Sequence, residues 1–135
     1  MKKYQLKITS SNRAFFDGEC ESLILPTEAG EYGILADHES MVIGIEIGEM
    51  RYFTDEKWIT VVTGSGFARI NNNQVVILTD SVELPEEVDF NRAEEARQRA
   101  EERMMLKKSR QEYYRGKLAM TRAMARLKVK EKKFM

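Results

Sequence analysis

The stretch of sequence that decides the fold runs from Val88 to Lys133 and reads VDFNRAEEARQRAEERMMLKKSRQEYYRGKLAMTRAMARLKVKEKK. It contains no proline, and its small and apolar residues recur three and four positions apart, which is the period of an α-helix. They form two sets: Ala93, Ala96, Ala100 and Met104, then Gly116, Met120, Ala123 and Leu127. Between the sets, Ser109-Arg110-Gln111-Glu112 has the Ser-x-x-Glu spacing of a capping box, which can start a helix. The pattern predicts two antiparallel helices joined by a tight turn.

The predicted contact surface between these helices consists mainly of alanine and glycine. Small residues let two helix backbones approach closely, but they bury little apolar area. At about 25 cal/mol per Å² of buried apolar surface, an alanine contact contributes far less than a leucine contact. We therefore expect a helical hairpin that needs a partner surface or is able to leave one.

The first 84 residues have the patterns of β-strands. Tyr4, Leu6 and Ile8 alternate with polar residues, which predicts a strand with one buried face. Strand breaks are expected at Asp17-Gly18, Pro26, Asp55-Glu56, Gly64-Ser65-Gly66 and Asn71-Asn72-Asn73. Many short strands at regular spacing are typical of a sandwich or a barrel. At Leu84-Pro85 the period changes from two to 3.6, so we predict a β-domain over residues 1–84 and a helical domain over residues 85–135.

The formal net charge is zero, but the two parts of the chain carry opposite charges. Residues 1–85 contain seven basic and 13 acidic residues, and residues 86–135 contain 15 basic and nine acidic residues. From Arg103 onward, 12 basic residues face only Glu112 and Glu131. Such a run forms either a solvated helix face or a surface for an acidic partner, and the sequence alone leaves both readings open.

The composition also restricts the cellular setting. The single cysteine, Cys20, excludes an internal disulfide and suits a reducing compartment. No apolar run approaches the roughly 20 residues of a membrane-spanning helix, and Met1-Lys2-Lys3 leads into a strand pattern and not into a signal peptide. We therefore expect a cytosolic protein, with attachment to a membrane-bound assembly left open.

Residues with catalytic chemistry are scarce. One histidine and one cysteine do not make a zinc site by themselves. Gly64-Ser65-Gly66 is too short for a phosphate-binding P-loop and lacks the lysine that follows one, so a turn or bulge is the better interpretation. The residues alone indicate a binding or coupling module.

Three motifs give the chain a family resemblance. The first is Gly30-Glu31-Tyr32-Gly33-Ile34 with His38 four residues later, the second is Thr63 to Ile70, and the third is Val88-Asp89-Phe90-Asn91-Arg92-Ala93. In this order and spacing they resemble the ε subunit of F-type ATP synthases over essentially the whole chain. Two departures are Ser65, where a glycine is usual, and Ala36-Asp37, where proline followed by glycine or asparagine is usual.

The resemblance implies a fold, a location and a role. The fold is α+β, with an N-terminal antiparallel β-sandwich followed by a C-terminal antiparallel two-helix hairpin. The implied protein is a non-catalytic rotor subunit of the central stalk, bound to the γ subunit, the c-ring and the αβ subunits on the cytoplasmic face of the membrane. It couples proton transport to ATP synthesis, and its helices either fold down or extend into the αβ hexamer and inhibit hydrolysis. Glu31 and His38 are the implied partner-binding residues, and the isolated chain is expected to be a monomer.

Asp89 and Arg92 have two interpretations. In the structural one, Asp89 caps a helix and Arg92 pairs with a neighbouring glutamate. In the other, which the resemblance implies, the motif belongs to a regulatory ATP site, because a helix N-terminus and convergent guanidinium groups suit a triphosphate. The implied site residues are Glu83, Val88, Asp89, Arg92, Ala93, Arg99, Arg122 and Arg126. No cofactor is required, and ATP is the expected regulatory ligand.

A nucleic-acid-binding protein with an acidic β-domain and a basic helical tail is the alternative from another class, because the lysine and arginine content of the tail permits it. Acidic residues interrupt the first predicted helix, and the strands lack an evident basic and aromatic surface, so we expect no nucleic acid among the partners. A stand-alone enzyme ranks third for want of a catalytic constellation.

Overall fold

The computed structural model describes residues 2–106 and 110–134, with the side chains of residues 2–105 and 114–132. The chain divides into two compact units, Met1–Glu83 and Leu84–Met135. The strands are β1 (Tyr4–Ser10), β2 (Ala14–Cys20), β3 (Ser22–Thr27), β4 (Gly30–Ile34), β5 (Met41–Ile45), β6 (Gly48–Thr54), β7 (Lys57–Thr63), β8 (Gly66–Asn71), β9 (Gln74–Thr79) and β10 (Val82–Glu83). A 3-10 helix, Pro85–Glu87, precedes α1 (Phe90–Leu106) and α2 (Arg110–Phe134).

The first unit is a sandwich of two five-stranded sheets. Of the two predicted architectures, sandwich and barrel, the chain therefore forms the sandwich, and the predicted fold class is confirmed. One sheet has the strand order β2-β1-β9-β8-β5, and the other has the order β10-β7-β6-β3-β4. The described strand pairs are antiparallel except for β1 and β9, which run parallel with Leu6 opposite Val75 and Ile8 opposite Ile77. This parallel pair joins the two ends of the β-domain, because β1 and β9 lie about 70 residues apart in sequence.

The core of the sandwich consists of the apolar residues of the alternating strand patterns. Tyr4, Leu6 and Ile8 are buried, as the alternation on β1 predicts. Tyr4 also has a polar group in the core, and its hydroxyl donates a hydrogen bond of 2.6 Å to the carbonyl oxygen of Ile34. Burial raises the pKa of the Tyr4 hydroxyl, so this group stays protonated and remains a donor.

Two of the predicted strand breaks are wrong. Asp17-Gly18 lies inside β2, where Asp17 pairs with Lys7 and Gly18 pairs with Leu6. Pro26 lies inside β3 opposite Glu31, and its carbonyl oxygen accepts a hydrogen bond from the amide of Glu46 at 2.9 Å. In both cases pairing with a neighbouring strand outweighs the local preference of turn residues, which propensity alone does not reveal.

The other predicted turns are present. Asp55 and Glu56 join β6 to β7, and both have positive φ values, 50° and 61°. Asn72 and Asn73 join β8 to β9 with φ values of 50° and 57°, which asparagine tolerates better than most residues. Gly64 and Ser65 form the bend between β7 and β8, where the amide of Gly64 donates to the carbonyl oxygen of Ser81 at 2.8 Å.

The second unit is the predicted helical hairpin. Ala93, Ala100 and Ala123 are buried, as expected for its small-residue contact surface. A β-carbon on Gly116 would lie 3.1 Å from Cγ of Met104 and 3.3 Å from the carbonyl oxygen of Ala100, so the two backbones approach closely there. The predicted capping box contains Ser109, which lies outside the described residues. Its effect on the start of α2 therefore stays a prediction.

Candidate functional site

The first candidate site is the end of the sandwich that contains β4 and the following loop. Glu31 lies on β4, at the edge of its sheet, and its exposed carboxylate forms an ion pair of 3.1 Å with Arg51 on β6. β3 separates these two strands in the sheet, so the side chain of Arg51 reaches across β3 to Glu31. An exposed pair of this kind contributes about 0–1 kcal/mol, so it orients the carboxylate more than it stabilises the fold.

His38 lies in the same loop and contacts Tyr32 of β4. The Tyr32 hydroxyl is 2.7 Å from Nε2 of His38, and the two rings meet edge to face with centroids 5.7 Å apart. Nδ1 of His38 is 2.8 Å from the carbonyl oxygen of Glu39. The ring is half-buried, and both nitrogens have partners within the chain.

Asp37 explains how the loop tolerates its departure from the family motif. Its φ of 63° is in the left-handed region, which aspartate adopts more readily than most residues. The backbone amide of Asp37 donates to Oδ1 of Asn73 at 2.6 Å, and Nδ2 of Asn73 donates to Oδ1 of Asp37 at 3.0 Å. Lys2 adds an ion pair at 2.9 Å. These contacts tie the loop to the β8–β9 turn.

The Asp37 contacts predict a pH-dependent contribution to stability. The hydrogen bonds from Lys2 and then Asn73 lower the pKa of the Asp37 carboxyl, so its charged form stabilises the folded chain. A lowered pKa gives stability that is present above the usual aspartate pKa of about 3.9 and is lost as pH falls through the folded-state value. We expect Asp37→Asn to destabilise the chain at neutral pH and to cost less in acid. Urea denaturation of both proteins at neutral and acid pH measures this difference, and an equal difference at both pH values would contradict the prediction.

The second candidate site is the predicted ATP site, and all its residues except Glu83 lie in the helical unit. Asp89 precedes α1, and its Oδ1 accepts a hydrogen bond of 3.1 Å from the backbone amide of Arg92. The structural interpretation of Asp89 as a helix cap is therefore realised. Val88 and Ala93 are buried, and Arg92 and Arg99 are exposed on α1. Glu83 lies on β10 opposite Val62.

Arg122 and Arg126 of α2 lie at the level of the first turn of α1. Ala100 and Gly116 mark one level at which the antiparallel helices cross. Because the helices are antiparallel, the residue seven before Ala100 lies opposite the residue seven after Gly116. This register pairs Ala93 with Ala123, and both are buried. Arg122 and Arg126 lie on either side of Ala123, so the register sets them beside Phe90–Glu94, the first turn of α1. Both arginines are half-buried.

Arg97 has the neighbouring glutamates of its own helix as partners. Its guanidinium is 2.6 Å from Glu94 and 3.1 Å from Glu101, at spacings of three and four residues. The hydrogen bond from Arg97 lowers the pKa of Glu94. This ladder supports α1 locally.

Sequence reasoning missed Tyr32, Arg51 and Asn73, which hold the loop residues in place. Tyr32 occupies the variable position of the first motif, so the motif itself gave no reason to single it out. Arg51 and Asn73 are distant in sequence from their partners, and only the strand arrangement brings them near. In the part of the chain that the structure describes, no group of histidine, cysteine and carboxylate residues suits a metal ion. No described helix has the length and apolar character needed to cross a membrane.

Comparison with protein families gives two matches that follow each other along the chain. Residues 3–85 match the ATP synthase delta/epsilon chain β-sandwich domain, and residues 86–131 match the ATP synthase delta/epsilon chain long α-helix domain. The order of the two matched segments is the order of the sandwich and the hairpin described above.

Relatives and solved structures agree with these matches. The chain is 47% identical over 127 residues to the ATP synthase epsilon chain of Ruminiclostridium cellulolyticum, covering 94% of this chain and 95% of that one. It is 35% identical over 122 residues to the chloroplastic ATP synthase epsilon chain of Chara vulgaris, covering 90% and 92%. A chain in the structure of the Euglena gracilis mitochondrial ATP synthase (OSCP/F1/c-ring) has a similar fold, with a TM-score of 0.78, 22% identity and coverage of 96% of this chain and 80% of that one.

None of these matches supports the nucleic-acid alternative. The family segments together cover residues 3–131, and the first relative is nearly half identical in sequence over almost its entire length. The chain therefore belongs to the ATP synthase delta/epsilon chain family.

Proposed function

We propose that this chain is the ε subunit of an F-type ATP synthase, a non-catalytic subunit of the central stalk that couples proton transport to ATP synthesis. The observation that carries the proposal is the 47% identity to an ATP synthase epsilon chain over 94% of this chain. Its partners are the γ subunit, the c-ring and the αβ subunits. It is held through them at the cytoplasmic face of the membrane.

The helical hairpin is the regulatory part of the proposed subunit. Its contact surface is built on Ala93, Ala100, Gly116 and Ala123, so little apolar area holds the two helices together. The basic residues of α2 include Arg115, Lys117 and Lys128, whose side chains are exposed. A basic helix that separates easily is suited to extend toward acidic segments of the αβ subunits and inhibit ATP hydrolysis there.

ATP is the proposed ligand that controls this movement. The positive end of the α1 helix dipole favours an anion, and Arg122 and Arg126 are at the same level of the hairpin. Arg122 and Arg126 lie beside the start of α1 only while the two helices are paired, so ATP bound there would stabilise the closed hairpin. ATP at 100 times its dissociation constant adds about 2.7 kcal/mol to the state it binds. That amount is large enough to shift a marginal equilibrium between closed and extended helices.

Reconstitution tests the proposed coupling role. An ATP synthase preparation depleted of its ε subunit is mixed with this chain, and ATP-driven proton pumping is measured in membrane vesicles. We expect the added chain to bind the γ subunit and to restore pumping, because it supplies the missing link between γ and the c-ring. Failure to bind γ or to restore pumping would refute the proposed function.

Co-purification from cells distinguishes the proposed function from the nucleic-acid alternative. A stalk subunit brings down the γ and αβ subunits, and nuclease treatment leaves that result unchanged. If the chain brought down nuclease-sensitive material without these subunits, the alternative would replace the proposal.

A further inference from the structure

The hydrogen bonds of His38 define where its ring proton lies. Nδ1 is 2.8 Å from the carbonyl oxygen of Glu39, and a carbonyl oxygen only accepts, so Nδ1 carries a hydrogen. In the neutral ring Nε2 then has no hydrogen and accepts from the Tyr32 hydroxyl at 2.7 Å. The neutral ring is therefore held as the Nδ1–H tautomer, and both nitrogens are used within the chain.

Tyr32 links this ring to the sheet. On β4, Tyr32 pairs with Leu25, which is fully buried, so the sandwich determines the position of its backbone. The Tyr32 hydroxyl is also 3.5 Å from the sulfur of Met41, but it has one hydrogen and the imidazole nitrogen is closer and the stronger acceptor. The Tyr32–His38 hydrogen bond thus connects the loop after β4 to strand β4 itself.

We propose that Tyr32 and His38 are a positioning pair that fixes the shape of the loop of residues 35–40 for docking onto the c-ring. His38 has no ring nitrogen left to bind a partner, so it acts by holding the loop. The carboxylate of Glu31, oriented by Arg51 and 66% exposed, is the polar group that contacts the partner surface. The tautomer follows from the geometry alone, and the docking role rests on the proposed function.

The tautomer is tested by nitrogen-15 NMR of the full chain. His38 is the only histidine, so its two ring nitrogens give the only imidazole signals. At about pH 8.5, where imidazoles are ordinarily neutral, we expect Nδ1 to be protonated and Nε2 to be a hydrogen-bonded acceptor. Tyr32→Phe keeps the ring contact but removes the hydroxyl, so the Nε2 signal moves. Tyr114→Phe, which changes an exposed tyrosine on α2, leaves it in place. A protonated Nε2 in the wild-type chain would overturn the proposal.

Docking is tested by a double-mutant cycle in the reconstituted complex. Loss of one hydrogen bond corresponds to roughly 2- to 10-fold weaker binding of the ε-containing F1 sector to c-ring membranes, and we expect this for Tyr32→Phe and for His38→Ala. The double variant is expected to bind no more weakly than the weaker single variant, because both changes remove the same contact. Wild-type binding by Tyr32→Phe, or full additivity of the two losses, would overturn the docking role.

The controls separate this proposal from the proposed function. If the wild-type chain itself fails to join the complex, the proposed function fails, whatever tautomer His38 adopts. If the wild-type chain joins and restores pumping but Tyr32→Phe binds equally well, the function stands and the positioning role fails. Circular dichroism of each variant confirms that it is folded before binding is compared.

Discussion

Gly66→Ala is expected to destabilise the β-sandwich by about 3 kcal/mol or more, because the new methyl group would overlap main-chain atoms. A β-carbon at residue 66 would lie 2.0 Å from the carbonyl oxygen of Leu78 and 2.7 Å from Cα of Thr79. Gly66 pairs directly with Thr79 where β8 begins. Side chains can rotate away from an overlap, but these backbone atoms belong to β9, which also pairs with β1. Relief therefore requires the strands to separate.

Gly44→Ala is the matched control for this substitution. Gly44 lies on β5 of the same sheet, and a β-carbon there would have no neighbour within 4 Å. Urea denaturation followed through Trp58, the single tryptophan, compares the variants. We expect Gly44→Ala to change the free energy of unfolding by less than about 1 kcal/mol, as is usual for surface substitutions. If both variants had the same midpoint, the close approach at Gly66 would not be a constraint on the fold.

Arg92→Ala/Arg126→Ala is expected to abolish measurable ATP binding to the isolated chain. Each arginine would donate charge-assisted hydrogen bonds to the triphosphate, and the loss of one such interaction costs about 1.5–3 kcal/mol. The two losses together correspond to a weakening of at least 100-fold. In the assembled complex, the variant should also lose the relief of inhibition that ATP gives, because ATP can no longer select the closed hairpin.

Isothermal titration calorimetry of the wild-type chain and two double variants measures this effect. Arg103→Ala/Arg115→Ala removes the same charge from exposed positions nearer the connection between α1 and α2, and we expect it to bind ATP as the wild type does. Equal loss in both variants would mean that only net charge matters. No saturable binding by the wild type at millimolar ATP would remove the nucleotide switch and leave Asp89 as a helix cap.

The candidate-site residues differ in how far the sequence predicts their arrangement. The motif around Asp89 and the arginine pair on α2 are visible in the sequence, because residues three and four apart share a helix face. The sequence does not show that this arginine pair lies beside the Asp89 motif, because this depends on the register of the two helices, which pack together at Ala100 and Gly116. His38 was visible as a motif residue, but its tautomer depends on Tyr32 and on a backbone carbonyl.

The sequence by itself determined the order and type of the elements. The three-and-four spacing of small residues predicted the two helices, and the alternation at Tyr4, Leu6 and Ile8 predicted a half-buried strand, because both patterns follow from local backbone geometry. Only the tertiary structure decided the parallel pairing of β1 with β9, the continuation of β2 through Asp17-Gly18 and the contact of Asp37 with Asn73. Each of these joins residues that are far apart along the chain or overrides a local preference. Their energies depend on the assembled sheets, which the residues of a single strand or turn do not determine.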